Sequence, residues 1–349
     1  MAPDEVPEEI RALADARAVS RRERDFETAD ALRAEIEAAG WRVVDAASLY
    51  SLERAAPADV VGDGVQHYGS SLSVPSRLDD PAAGVASVVI VATDWPGDVS
   101  RALGALTATA PAGTQLVVVA NGPSDEQVVA LDALSTSEPD PARMSIEVVW
   151  TSARLGHAAA LNCGIRRCAA PVVLLLDTSV EPRDDLVSAL VGALADPDVA
   201  VAGPFGLVSS DLRSYEEPPA GITDVVAIEG YAQAFRRSDY VARGPLDEHF
   251  AFYRNLDIWW SLVLRDPFAA DDDDDETDSD EVDLVVDLAS MPRPRRALRV
   301  DGLDIVRHEH RGWTSVSEAE RDRLSKRNFY RVLKRFATRR DLLLESSPA

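Results

Sequence analysis

Between residues 87 and 203 the chain repeats one pattern: a short apolar run that does not alternate, a loop, then a longer stretch with apolar residues at helical spacing. Runs such as VVLLL (172–176) present no polar face, which suits parallel strands covered by helices on both sides. Strands are expected at 87–92, 115–120, 146–150, 172–176 and 199–203, with helices at 97–109, 125–134, 155–168 and 184–194. The class is α/β with a mostly parallel sheet. In such sheets ligands bind beyond the carboxyl ends of the strands, so the loops at 93–95, 121–122, 151–156 and 177–181 are where function is expected.

The flanks read differently. Residues 8–39 carry apolar positions at helical spacing up to Gly40, with a short extended piece at 41–44, so 1–56 is expected to be a helical module. Residues 57–84 are rich in Gly, Ser, Pro and Asp without a period and read as a linker. The main domain is expected over 85–315, and 316–349 as a C-terminal helix with nine basic residues against three acidic ones between 318 and 340. Such a helix either packs on the acidic body of the protein or lies on an anionic membrane surface as a peripheral contact.

Net charge is −24, and ten acidic residues fall within 271–283. That run reads as a solvated, disordered loop. An acidic balance repels phosphate backbones, so general nucleic-acid binding is disfavoured. Two cysteines, Cys163 and Cys168, make neither a disulfide framework nor a metal pattern. With no apolar leader and no bilayer-length run, a cytoplasmic location is expected.

Six stretches in order carry a resemblance: SVVIVATDWPGDVSRALGAL, LVVVANGPSD, ARLGHAAALNCGI, LLLDTSVEP, GYAQAFRRSDYVARGPLDEHF and YRNLDIWWSLVLRD. From Ser87 to about Gly312 the chain resembles the inverting family 2 glycosyltransferases of the GT-A fold. The resemblance implies a nucleotide-sugar donor, an acceptor that is a glycan or lipid-linked, and a role in glycan or cell-surface polysaccharide synthesis. It places Thr93, Asp94, Asn121, Gly122, Arg154, Gly156 and Asp177 on the donor, with Arg154 suited to a phosphate. Separately, RERDFETADALRAEIEAAGWRVVD resembles the C-terminal helical region of cysteinyl-tRNA synthetases, which implies either a docking helix or an RNA contact.

Three positions depart from the family. Ala120 stands where an acid reads the base, Ser179 replaces the second acid of the Asp-x-Asp metal motif, and Asn255 replaces the acid before the last helix. A neutral amide cannot take a proton from a hydroxyl. Either Glu181 and Asp257 substitute, or Arg and His meet the diphosphate without metal, or catalysis is lost and binding remains. On the first reading Asp257 is the base rather than a helix cap. Mg²⁺ or Mn²⁺ would then sit on Asp177, Glu181 and His308, with His310 on the same face as His308. Trp95, Trp259, Trp260 and Trp313 are either a sugar-stacking platform or core filler.

Overall fold

The computed structural model describes residues 6–46, 49–62, 64–92, 94–135, 144–268 and 293–344. The acidic run at 271–283 and Thr93 lie outside the described residues.

Helices α1 (Glu8–Glu23) and α2 (Phe26–Ala38) pack on a hairpin of β1 (Trp41–Ala46) and β2 (Leu49–Arg54). Asp25 caps α2 through Thr28 N–H, and the module has its own small core of Ile10, Ala14, Ile36, Trp41 and Val43. Arg17, buried, forks onto Asp45 at 2.7 and 2.9 Å and ties α1 to the hairpin.

Residues 57–84, read as a linker, instead belong to the sheet. They form β3 (Val60–Gly62) and β4 (Val65–Tyr68), and β4 runs parallel to β7 (Met144–Thr151) with His67 opposite Trp150. These strands are too short to show a period. The rest of the segment is held by donors distant in sequence: Arg166 bonds Val74 O at 2.8 Å, and Arg237 bonds the carbonyls of Arg77 and Asp80. Val74 is fully buried in the main core. Gly69 is required here, because a Cβ would lie 1.7 Å from Pro57 O.

The remaining pattern holds. Strands β5 (Ser87–Ala92), β6 (Thr114–Ala120), β7 and β8 (Val172–Leu176) run parallel, joined through α3 (Pro96–Thr109), α4 (Asp125–Ser135) and α5 (His157–Ile165). After β9 (Val180–Pro182) and α6 (Leu186–Ala193) come β10 (Val199–Gly203), β11 (Gly206–Leu207), β12 (Asp224–Val225), β13 (Ala227–Ile228) and β14 (Ala232–Arg236). Helices α7 (Arg237–Arg243) and α8 (Leu256–Arg265) precede β15 (Arg296–Arg299), β16 (Ile305–Arg307), α9 (Arg311–Thr314) and α10 (Glu318–Phe336). The main sheet has ten strands in the order β12-β15-β10-β14-β8-β5-β6-β7-β4-β3. It is mostly parallel through its centre, with β14 inserted antiparallel between β8 and β10.

Both faces are covered. Val89, Val117 and Val119 face α5 and α8, whereas Val88, Ile90 and Val118 belong to the core under α3 and α6. Gly164 lets α5 lie flat, since a Cβ there would be 2.4 Å from Val89 Cγ1. Asn162, buried on α5, bonds Leu246 N and O, Glu248 and Tyr240, and so fixes the 240–248 block over the helix. Helix α10 packs inward through Asn328, Val332 and Phe336, and Arg339 just beyond it forks onto the buried Asp266 at 2.8 Å. Among the described residues no helix is long and apolar enough to cross a membrane.

Candidate active site

The loops leaving β5, β6, β7 and β8 meet at one end of the sheet. At the outer side of that mouth Arg154 pairs with Asp94 at 2.5 Å and reaches Gly122 O at 3.3 Å. Asn121 is buried, and its side chain is spent on the backbone of Leu155, accepting from N at 2.8 Å and donating to O at 3.1 Å. Gly122 has φ 54°, and a Cβ there would lie 2.7 Å from Arg154 N. Asn121 and Gly122 shape the loop that presents Arg154. Gly156 is the N-cap of α5 and lets Ala251 approach, since a Cβ would be 2.9 Å from its Cα.

Inward of that rim lies a cavity of about 540 Å³. Asp177, at the end of β8, lines it. Its Oδ1 accepts from Ser179 N at 2.8 Å and from Ser179 Oγ at 2.5 Å, while Oδ2 lies 3.3 Å from His310 Nε2. Burial opposes its charge, but His310 and Ser179 outweigh that and hold the carboxyl below its usual range. His310 Nδ1 accepts from Trp313 N–H, which leaves the ring proton on Nε2, toward Asp177. His157, in the first turn of α5, lines the same cavity, and burial pushes its pKa down to about 4, so it is neutral at physiological pH.

The proposed metal trio is not assembled. Strand β16 pairs antiparallel with β9 so that His308 Nε2 meets Glu181 Oε2 at 2.6 Å, and neither lines the cavity. The His308 hydrogen bond holds Glu181 below the usual carboxylate range. Among the described residues no three Asp, Glu, His or Cys side chains gather as a ligand set. Asp177 fits a divalent cation as a single carboxylate, the remaining positions coming from phosphate oxygens and water, as Mg²⁺ favours. His310 could join only by moving its proton to Nδ1 and releasing the Trp313 amide.

Two further acids line the cavity. Asp257, in the first turn of α8, accepts from Gly230 N–H and Ile258 N–H, both at 2.9 Å. It is not the N-cap; that residue is Asn255, at φ 67°, whose Nδ2 donates to Ser325 O at 3.1 Å. Desolvation pushes the Asp257 carboxyl up despite the two amides. Glu229 lines the same cavity, and burial raises it as well. Arg213, Arg254, Arg311 and Lys326 also line the cavity, Arg311 in ion pairs with Asp98 and Glu309. Sequence reasoning passed over His157, Glu229, Arg254 and Lys326. The first two sit inside quoted motifs or beside them, but Lys326 reaches the cavity from α10, which no strand-end argument could place. The tryptophans do not form a platform: Trp259 packs on Phe250 and Phe336, Trp313 faces Arg254 and Arg321, and only Trp95 and Trp260 line the cavity.

Residues 87–255 match the family model described as Glycosyl transferase family 2. This part of the chain is a family 2 glycosyltransferase domain with the GT-A architecture. Among curated relatives, a pre-mycofactocin glycosyltransferase of Mycobacterium tuberculosis (strain ATCC 25618 / H37Rv) is 30% identical over 138 residues, covering 35% of this chain and 29% of that protein. A cysteine–tRNA ligase of Opitutus terrae (strain DSM 11246 / JCM 15787 / PB90-1) is 55% identical over 51 residues at the N-terminus, 15% of this chain and 11% of the ligase. The chain thus spans less than a third of either relative. Of solved structures, GalNAc-T7 with UDP, GalNAc and Mn²⁺ superposes with TM-score 0.50 at 14% identity, over 80% of this chain and 51% of that one. A mannosyltransferase, PcManGT from Pyrobaculum calidifontis, in complex with GDP-Man and Mn²⁺, gives 0.41 at 20% identity over 55% of each chain. The GalNAc-T7 likeness bears on the fold alone.

Proposed function

We propose that the protein transfers a sugar from a nucleotide-sugar donor to an acceptor hydroxyl with inversion at the anomeric carbon. The observation that supports this reading is one cavity, inside a family 2 domain, lined by both Asp177 and Asp257, which meet the adjacent residues Tyr231 and Gly230. Asp94 and Arg154 present polar groups to the nucleoside end of the donor at the rim. The diphosphate lies toward Asp177, where Arg254, Arg311 and Lys326 supply positive charge. A Mg²⁺ or Mn²⁺ ion arriving on the diphosphate would be held by Asp177 and would neutralise charge on the leaving group. The acceptor O–H attacks the anomeric carbon from the face opposite the diphosphate. The carbon–oxygen bond to the phosphate breaks with its electron pair leaving on oxygen, and the acceptor proton passes to Asp257.

A thermal-shift panel of nucleotide sugars, run with and without Mn²⁺, tests the reading. The cognate donor at saturating concentration should raise Tm by roughly 2–5 °C. Asp177→Asn should weaken that donor and erase any difference made by Mn²⁺. If no nucleotide sugar shifts the unaltered protein, the transferase reading fails. A second reading, a binder that keeps the donor pocket without turnover, is favoured by Asn255, which stands where the family acid would be and is used to latch α10. Donor binding without hydrolysis or transfer would select it.

A further inference from the structure

Residues 229–231 connect β13 to β14, and each is tied to a different part of the site. Glu229 N–H donates to Phe205 O at 2.8 Å, Gly230 N–H donates to Asp257 Oδ2 at 2.9 Å, and Tyr231 O accepts from Asp177 N–H at 2.9 Å. The turn therefore bridges the two acids of the proposed reaction. Gly230 leaves it little slack, since a Cβ there would lie 3.2 Å from Asp257 Cβ.

Glu229 stands at the head of this fixed turn and lines the cavity, half-buried. Its neighbours are engaged: Asp177 accepts from Ser179 and faces His310, and Asp257 accepts from two amides. Among the described residues the Glu229 carboxyl has neither a hydrogen bond nor an ion pair. Its oxygens are accessible rather than sealed behind other atoms. Arg307 and Arg254 favour its charge from a distance, but both are stacked elsewhere, Arg307 over Tyr231 at 3.8 Å and Arg254 over Trp313 at 5.5 Å. Burial outweighs them and pushes the carboxyl above its usual range.

A carboxylate in such a place recovers its lost hydration only from an occupant that donates hydrogen bonds. A diphosphate ester has no donor at neutral pH and adds like charge beside it. An apolar group strips its remaining water and gives nothing back. Ring hydroxyls fit, since each donates to one oxygen and hydrogen bonds to a charged group are the strong ones. On a nucleotide sugar the ring hangs directly on the diphosphate. Glu229 is two residues from the carbonyl that holds Asp177, the acid at the diphosphate end.

We propose that Glu229 selects the transferred sugar, its two oxygens accepting hydrogen bonds from hydroxyls of that ring. The assignment rests on the transferase reading and adds to it the residue that reads the sugar.

The test is calorimetric titration of the full chain, with Mn²⁺ in the buffer, by UDP, GDP, UDP-glucose, UDP-galactose, UDP-GalNAc and GDP-mannose. Glu229→Ala should weaken the nucleotide sugar that binds the unaltered protein by about tenfold or more. The matching free nucleoside diphosphate should stay within about twofold, because it carries no sugar to lose. Glu229→Gln, which keeps the length and one carbonyl oxygen, should fall between the unaltered protein and Glu229→Ala. Monodeoxy analogues of the bound sugar give a signature that a structural brace would not produce. Removing one contacted hydroxyl should weaken binding to the unaltered protein about fivefold or more, and to Glu229→Ala less than about twofold. Equal weakening of nucleotide and nucleotide sugar in a folded Glu229→Gln protein would overturn the proposal. So would unchanged donor affinity in Glu229→Ala, which would leave the carboxyl to the acceptor or to its proton. Failure of every nucleotide and nucleotide sugar to bind the unaltered protein removes the transferase reading and this assignment with it. Donor binding that ignores Glu229 removes the assignment alone.

Discussion

Replacing Asp257 by Asn should cut turnover by about 10²–10⁴-fold while leaving donor affinity nearly unchanged, the usual worth of a positioned base. The amide keeps one oxygen to accept from Gly230 or Ile258, so the turn it braces should survive. What it loses is the capacity to take a proton. The pH dependence carries the same signature. Desolvation raises the Asp257 carboxyl, and the base must be ionised to work. Rate is therefore lost as pH falls through a value above the ordinary carboxylate range, and the acid limb of kcat/KM should lie there. A single-turnover assay with cognate donor and acceptor checks both statements. Wild-type rates in Asp257→Asn would make that residue a brace between α8 and the β13–β14 turn. Glu229, on the same wall, would then be the base.

The second large effect concerns where the domain begins. A chain starting at Pro57 should melt cooperatively, because α1, α2 and their hairpin enclose a core of their own, separate from the two cores of the sheet. A chain starting at Pro81 should be insoluble or molten. It lacks β3, β4 and the buried Val74, and it deprives Arg237, 8% exposed, of the carbonyls of Arg77 and Asp80. Arg237 keeps the Cys168 and Ala169 carbonyls but its Nη2 loses Asp80 O, a loss on the order of 1–3 kcal/mol that adds to the lost burial of Val74 and is a large share of the stability of most domains. Circular dichroism melts of the two chains decide it. A cooperative melt from the Pro81 chain would show that the strands at this edge are dispensable.

Much of this architecture could be read in the sequence because its signals are local. Runs such as VVLLL are long enough to declare buried strands, and a strand end is a place the chain itself marks, so Asp177 was found from its position. The misreadings share a different cause. Asn121 looks free until Leu155, 34 residues on, consumes its amide. His308 and His310 are expected on one face at strand spacing, but β16 ends at Arg307, so His308 meets Glu181 outside the cavity and His310, capping α9, meets Asp177 inside it. The segment 57–84 has the composition of a linker, and its attachments are arginines at 166, 167 and 237 that donate to its carbonyls. Glu229 and Lys326 join the cavity through the packing of β13 and α10, and no periodicity encodes that.

The position of α10 bears on how the chain acquires its site during synthesis. Ser325, Lys326 and Phe329 are part of the cavity wall, and Phe336 and Leu342 belong to the main core. Asn328 holds the carbonyls of Phe252 and Arg254, so the wall that contains Asp257 is braced by residues made some seventy positions later. A nascent chain emerging from the ribosome therefore has the strand ends and Asp177 in place before it has a closed site. Until α10 docks, Trp259 and the apolar rim of α8 stand open to solvent, a surface of the kind that recruits chaperones or self-associates. A product terminated ahead of Ser317 would carry nearly all the family's motifs and still lack the part of the cavity wall made by Ser325, Lys326 and Phe329.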